Sequence, residues 1–555
     1  MILTLIVVAA IAIVWNAERS AEQLPLAMAS LCFSAALVLL IVGDLERAIL
    51  LSLMVVGAIH GASRIKYQHS GLKLTVSDFP LLLAGTVPFF VVQYPLAVTA
   101  VVGGGIVFVI AAIAAIIYIP GTPLPFSIQV LLFGATSLGL FAAYKASGGA
   151  TAFQKMAAQP RCFLSTFVAS LLDPRSWRQF SGLTLSDISS DPLPLLAATP
   201  ARTETFPDII IIQHESIFDP RVYGLPVDPL IEDFLSPRNA LSGHLNVDIF
   251  GGGSWQSEFS VLTGLSSASF GSNAYFLYER GVGRFHNSLP ETLSALGYTT
   301  TLASSCRRNF LNYDNFYRSI GMSRRIFTDD LPPPFDIERF ETAPSDALFF
   351  PAMFGAHNGT IARDTSPRLL YALTNFNHGP HRRRLASSEN YEYARNFALT
   401  SLPDPHYVEY YARLTETVTA WNKLKETILS QSSRPTLVVH YGDHQPVMTR
   451  RIQNKLRLPI DPRRQFRTFY AIEMLNGCGN DIAIGRGPDL DIAFLGTLAM
   501  QQAGVPLDPV YATRASLLEQ CGEAYFASPS ERKRRFHRTL VDLGLIDLHR
   551  AISSA

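Results

Sequence analysis

The chain has 555 residues, with 46 Lys+Arg against 45 Asp+Glu. This near-neutral balance removes the electrostatic case for a nucleic-acid partner, and the length allows several domains. Charge is distributed unevenly, because no Asp, Glu, Lys or Arg occurs between Asp78 and Lys145 while charges are dense from about Glu204 onward.

The amino-terminal part, where charges are sparse, contains apolar segments at 1–15, 26–42, 48–62, 79–98, 101–119 and 126–144. A bilayer core takes roughly 17 to 25 apolar residues per helix, and short polar loops separate these segments, so five or six spans are expected. The first segment lacks the basic start of a signal peptide and is followed by another span, which predicts that it stays attached. Charge does not fix the orientation. Arg64, Lys66 and Lys73 favour one sidedness, and Lys145, Lys155 and Arg161 favour the other. Of the five cysteines, Cys32 falls within a span, and Cys478 with Cys521 is the pair to test for a disulfide if the soluble part is extracytoplasmic.

Residues 145–182 mix Phe, Leu and Trp with basic residues, as either a helix lying on headgroups or an ordinary linker helix would. Prolines at 192, 194, 200 and 207 then mark a boundary. The expected division is a membrane domain over 1–144, a juxtamembrane linker over 145–206, a catalytic domain over 207–515 and an extension over 516–555.

From Pro207 onward, short β-branched runs alternate with longer helical ones, predicting an α/β domain with a largely parallel sheet. The unbroken apolar run in "PDIIIIQHES" predicts a strand buried on both faces that ends at Glu215. "NSLPETLSALGYTTTLASS" predicts a helix capped by Ser288 with Glu291, ended by Gly297 and followed by a strand over 298–303. "RLLYALTNFNHGP" predicts a strand stopping before His378, and "RPTLVVHYGDHQP" one over 437–441 with Asp443 and His444 just beyond. His214 and His440, in or near strands, read as core histidines, and "ERKRRFHR" at 531–538 as a solvated helix face.

Ligands of open α/β sheets bind outside the carboxyl ends of the strands, where Glu215, Arg307, His378, Asp443 and His444 all fall. Glu215, Asp443 and His444 supply two hard oxygens and an imidazole, a donor set for one divalent ion, with Mn²⁺, Zn²⁺ and Mg²⁺ all admissible. Ser254, in "FGGGSWQSEFSVLTGL", completes the set: on a metal its hydroxyl becomes a nucleophile near neutral pH. Its alternative role is an ordinary helix N-cap. His381, with Arg382, Arg383 and Arg384, either attracts a lipid phosphate or forms a solvated basic loop, and Trp255, Phe276 and Tyr278 either wall a pocket or fill core.

The segments "IIQHES", "GGGSWQSEFSVLTGL", "SLPETLSALGYTTTLASS", "NYDNFYRSIGM", "HYGDHQP" and "LDIAFLGTLAMQQAGV" resemble, in order, the lipoteichoic acid synthase and phosphoglycerol transferase group of the alkaline phosphatase superfamily. The resemblance covers about 207–510 and implies a sulfatase-like fold behind a multi-span anchor. It implies a catalytic domain outside the bacterial cytoplasmic membrane, metal ligands Glu215, Asp443 and His444 with manganese placed first, and Ser254 as nucleophile where many relatives have threonine. His378 matches a histidine on the phosphoryl group or leaving oxygen.

The family's His, Trp and Arg pocket aligns with Arg307, Leu311 and Tyr313, none of which matches, so headgroup preference does not carry over. The implied reaction moves phosphoglycerol from an anionic phospholipid such as phosphatidylglycerol, through a phosphoseryl enzyme, to a hydroxyl of a periplasmic or surface glycan. Arg307, Trp255, Tyr313, His378 and His381 are the candidate substrate contacts. The nearest rivals are a phosphoethanolamine transferase and a phosphodiesterase; from another class, a membrane-anchored sensor. A true sulfatase would need a C/S-x-P-S-R context at the nucleophile, and "GGSWQSEF" has none.

Overall fold

The computed structural model describes residues 12, 14, 15, 18, 22–70, 73–76, 78–79, 91, 95–149, 152, 156, 161–174, 183–185, 187–308, 310–332, 335, 344–359, 366–459, 461–477, 482–525 and 530–548. The chain divides into two compact units, Met1–Ser181 and Gly182–Ala555.

The first unit is helical. Among the described residues, four helices are long and apolar enough to cross a membrane: α1 (Leu24–Val42), α2 (Leu45–Ser70, apolar over Leu45–Tyr67), α3 (Pro95–Tyr118, apolar over Val98–Tyr118) and α4 (Phe126–Ala146). At 1.5 Å per residue, about 20 residues cross a hydrocarbon core of ~30 Å. Ile106, Val107, Ile110, Leu131 and Leu138 are more than half exposed on α3 and α4, as lipid-facing residues are. Cys32 lies on α1. The expected segments 1–15 and 79–98 fall largely outside the described residues, as does Cys478. Helix α5 (Phe163–Leu172) puts Leu164, Val168 and Ala169 into this unit's own core beside Leu26, Leu31 and Val56.

Among the described residues, the second unit is built on one nine-stranded mixed sheet. Its strands are β1 (Asp208–His214), β2 (Ala240–Asn246), β3 (Thr299–Ser304), β4 (Arg324–Ile326), β5 (Arg368–Leu373), β6 (Thr436–Gly442), β7 (Arg467–Leu475), β8 (Gly485–Arg486) and β9 (Leu490–Asp491). The order is β4-β3-β5-β1-β6-β7-β2-β8, with β9 also on β2. The first five of that order run parallel, and only β7 opposes both its neighbours.

Alternate residues of β1 enter two different cores, Ile209 and Ile211 on one face and Ile210 and Ile212 on the other, which is why its sequence is apolar without a break. Helices α6 (Ser254–Thr263) and α7 (Leu289–Ala295) cover the first face, and α8 (Pro405–Gln431) covers the second. The capping box of α7 is present: Ser288 Oγ accepts from the Glu291 N–H, and the Glu291 carboxylate accepts from the Ser288 N–H. Gly297, at φ 90°, takes the chain out of the helix toward β3.

The unit begins earlier and ends later than the proline boundary and the expected extension imply. Leu183, Leu185 and Leu193 lie in its core, and Thr199 pairs with Leu507. Helix α9 (Glu531–Asp542) buries Lys533, Phe536, His537 and Leu540, so one side of the basic run expected to be solvated is core. Half-buried arginines keep the polar side: Arg534 pairs with Glu531 and Arg538 with Asp542.

Candidate active site

The carboxyl ends of β1 and β6, adjacent and parallel, deliver Glu215 and Asp443–His444 to one place. Immediately after β1, Ser216 adopts φ 56°, rare for a residue with a side chain. In that conformation its N–H donates to Asp443 Oδ1 at 2.7 Å and its hydroxyl to Glu215 Oε1 at 2.7 Å, so one residue holds both carboxylates. The His444 N–H donates to the same Asp443 Oδ1 at 2.7 Å, and its Nδ1–H to the Gln445 carbonyl at 3.1 Å, so that Nε2 faces the two carboxylates, 3.4 Å from Glu215 Oε1 and 3.6 Å from Asp443 Oδ2. Gly442 allows this close approach: a Cβ there would sit 1.8 Å from the Ile217 carbonyl oxygen.

The triple-glycine segment is tied to this corner by the Gly251 N–H on the Gln445 carbonyl at 2.9 Å. Gly251, Gly252 and Gly253 all have positive φ, 81°, 148° and 95°, a path closed to side-chain-bearing residues. Gly253 is the N-cap of α6 and Ser254 its first residue, so the capping alternative for Ser254 does not hold. The Ser254 hydroxyl instead donates to Glu215 Oε2 at 2.8 Å and lies 3.4 Å from His444 Nε2. At the amino end of α6 it also sits in the positive field of the helix dipole.

Glu215, Asp443 and His444 offer ligand atoms all within 4.8 Å of one another, and all three side chains are buried. Asp443 Oδ2 is buried without a hydrogen-bond partner, a costly state for a carboxylate oxygen unless a cation meets it. Burial raises the Glu215 carboxyl, yet His444, with His378 and the Ser216 hydroxyl, holds it well below the usual carboxylate range. Burial and then the Glu215 charge push Asp443 up. Burial opposes the His444 imidazolium, but the two carboxylates raise it to about 9. This hard, anionic, oxygen-rich set fits one divalent cation, and Ser254 lies within reach as a further ligand.

The other expected site residues separate into two groups. His378, half-buried on the loop after β5, donates from Nδ1 to the Gly379 carbonyl at 2.7 Å and acts electrostatically on Glu215. Arg307 is exposed on the loop after β3. The remaining three are turned into the protein. The Trp255 indole donates to the Tyr275 carbonyl, the Tyr313 hydroxyl to Glu258 Oε1, and the His381 Nε2–H to the Asn377 carbonyl. Phe276 and Tyr278 are core. His214 and His440 are core too, among Phe234, Trp421 and each other, where burial drives His214 down to about 3.

Ser216 was not foreseen, nor was Glu258, which accepts hydrogen bonds from Tyr278, Tyr313, Tyr317 and Gln213 one turn below Ser254. Burial, only partly offset by those donors, raises its carboxyl to about 7. Its one sequence signal is that it is the sole charged residue of α6.

An uncharacterized protein of Haemophilus influenzae is 23% identical over 311 residues, covering 55% of this chain and 54% of its own length, so the chain spans about half of that curated relative. Among solved structures, the Streptococcus pyogenes phosphoglycerol transferase GacH in complex with sn-glycerol-1-phosphate is 19% identical at a TM-score of 0.44, covering 61% of this chain and 84% of its own. The lipooligosaccharide phosphoethanolamine transferase EptA of Neisseria meningitidis is 11% identical at a TM-score of 0.49, covering 92% of this chain and 86% of its own. The sulfatase family model matches residues 207–469, from the start of β1 into β7 and across every candidate metal ligand.

Proposed function

We propose that the protein is a metal-dependent phosphoglycerol transferase of the bacterial cytoplasmic membrane, its sulfatase-family domain extracytoplasmic. It takes phosphoglycerol from phosphatidylglycerol and gives it to a hydroxyl of a surface or periplasmic glycan. The observation that carries the reading is the Ser254 hydroxyl, 2.8 Å from Glu215 Oε2 and 3.4 Å from His444 Nε2 at the start of a helix. Motif resemblance supplies the donor class, and the apolar helices give a membrane-embedded donor a reason to be near.

Glu215, Asp443, His444 and Ser254 would hold one divalent cation, manganese first, with zinc or magnesium as alternatives. Bound there, the ion supplies positive charge that acidifies a hydroxyl and offsets charge on phosphoryl oxygens. In the first step Ser254 Oγ loses its proton toward Glu215 Oε2 and bonds to phosphorus, while the phosphorus–oxygen bond to diacylglycerol breaks. His378 protonates the departing oxygen. In the second step the acceptor hydroxyl bonds to phosphorus, passing its proton to His378, and Ser254 Oγ leaves and recovers its own. Arg307, exposed at the same end of the sheet, is assigned to phosphate oxygens.

The test uses the full chain in detergent with Mn²⁺ and headgroup-labelled phosphatidylglycerol or phosphatidylethanolamine. Wild type should trap phosphatidylglycerol label on Ser254 after acid quench, and Ser254→Ala should trap none, with turnover down by about 10³ or more. Label from phosphatidylethanolamine alone would make the enzyme a phosphoethanolamine transferase. Metal binding with no label from either lipid would favour a sensor.

A further inference from the structure

We propose that Arg413, deep in α8 and outside the reacting centre, is a positioning residue that sets His378 by holding the backbone of its loop. The inference rests on the role given to His378 above. Arg413 is 0% exposed and directs its guanidinium along the underside of the loop over 378–387. Its Nη1 donates to the His378 carbonyl at 3.0 Å, and its Nη2 to the carbonyls of Pro380 at 3.1 Å and Arg383 at 2.6 Å.

One turn earlier on α8, Glu409 takes the loop's other end. Its Oε1 accepts the N–H groups of Leu385 and Ala386 at 2.6 and 3.0 Å, and its Oε2 accepts from Arg395, which in turn donates to the Ala386 carbonyl. One turn later, Thr417 Oγ accepts from the Asn377 side chain at 2.8 Å, beside His378. Residues 409, 413 and 417 recur at helical i, i+4 spacing and so share one face, which carries the loop from before His378 to its far end.

Stability alone is a poor account of this arrangement. Burying a charged triad costs desolvation that its internal attraction often fails to recover, and well-packed apolar residues serve a core equally well or better. What a planar five-donor group does that an apolar side chain cannot is hold several carbonyls in one fixed relation. One of those carbonyls belongs to His378 itself. A shift of that carbonyl moves the imidazole, and a misplacement of about 1 Å at a reacting group can cost roughly 100-fold in rate.

The experiment is a double-mutant cycle on the full-length protein, reading kcat and KM with labelled phosphatidylglycerol, Mn²⁺ affinity by calorimetry and melting temperature. Arg413→Lys, which keeps the charge but not the fork, should lower kcat about 10- to 100-fold with KM and Mn²⁺ affinity changed less than twofold. In a His378→Ala background the same substitution should cost less than twofold. Equal losses in both backgrounds, or a loss confined to KM, would overturn the proposal. If Arg413→Lys does not fold, Thr417→Val is read by the same criterion, with a smaller loss expected. A silent His378→Ala would remove the role given to His378, whereas a costly His378→Ala with an additive Arg413→Lys would remove only the positioning role.

Discussion

Ser216 is the residue whose importance is hardest to see in one dimension. Its side-chain chemistry is ordinary and its position beside Glu215 unremarked, yet at φ 56° it joins two carboxylates contributed by different strands. Ser216→Ala should weaken Mn²⁺ binding about 10-fold, as loss of a ligand's hydrogen-bond partner commonly does. Ser216→Gly should do the same despite relieving the backbone, and calorimetric titration checks both. Asp346 is a different case, buried with Oδ2 accepting from Thr417 and Oδ1 without a partner. Burial raises its carboxyl to about 7, above the ~3.9 of an unfolded chain. The folded state therefore binds the extra proton, and stability falls as pH rises from about 4 through about 7. Asp346→Asn should raise the melting temperature at pH 8 by roughly 2 °C or more and leave it nearly unchanged at pH 4. Glu215, Ser254, Asp443 and His444 were legible because each ends an apolar run or follows a glycine run. Ser216 and Glu258 were not, because their partners come from distant segments.

Strands β1, β5 and β6 were readable as elements because interior parallel strands are largely apolar on both faces and stop at polar residues, and β3 because a β-branched run follows a capped helix. Helix α7 announced itself through its capping box. Strands β2 and β7 were not readable: nothing local to "FRTFYAIEML" records that β7 runs against both its neighbours. Helix α9 misled for a related reason, since which side of a basic helix is buried depends on the segment at 187–193 that packs on it. The Ser189 and Leu193 N–H groups donate to the Arg534 and Arg535 carbonyls there. The end of β6 is the most exacting element. A methyl at Gly442 would meet the Ile217 carbonyl, a backbone atom that cannot rotate away. Gly442→Ala should therefore separate Asp443 from Glu215 and abolish measurable Mn²⁺ binding, or yield no folded protein; calorimetry after size-exclusion chromatography reads the outcome.

Across the whole molecule, the division at Ser181 and Gly182 states where the second unit can be cut free. A fragment of 183–555 retains Leu183, Leu185 and Leu193 in its core and the Thr199–Leu507 pairing, whereas one starting at Pro207 strips partners from α9 and from Leu507. The longer fragment should elute as a monodisperse species and melt cooperatively, and the shorter should aggregate, as light scattering would show. The strand order carries one more implication, for biogenesis. β1 lies between β5 and β6, so the earliest strand to emerge waits for two that are made much later. Until the segment through His444 has been synthesised, Glu215 has neither of the two residues that complete the candidate ligand set.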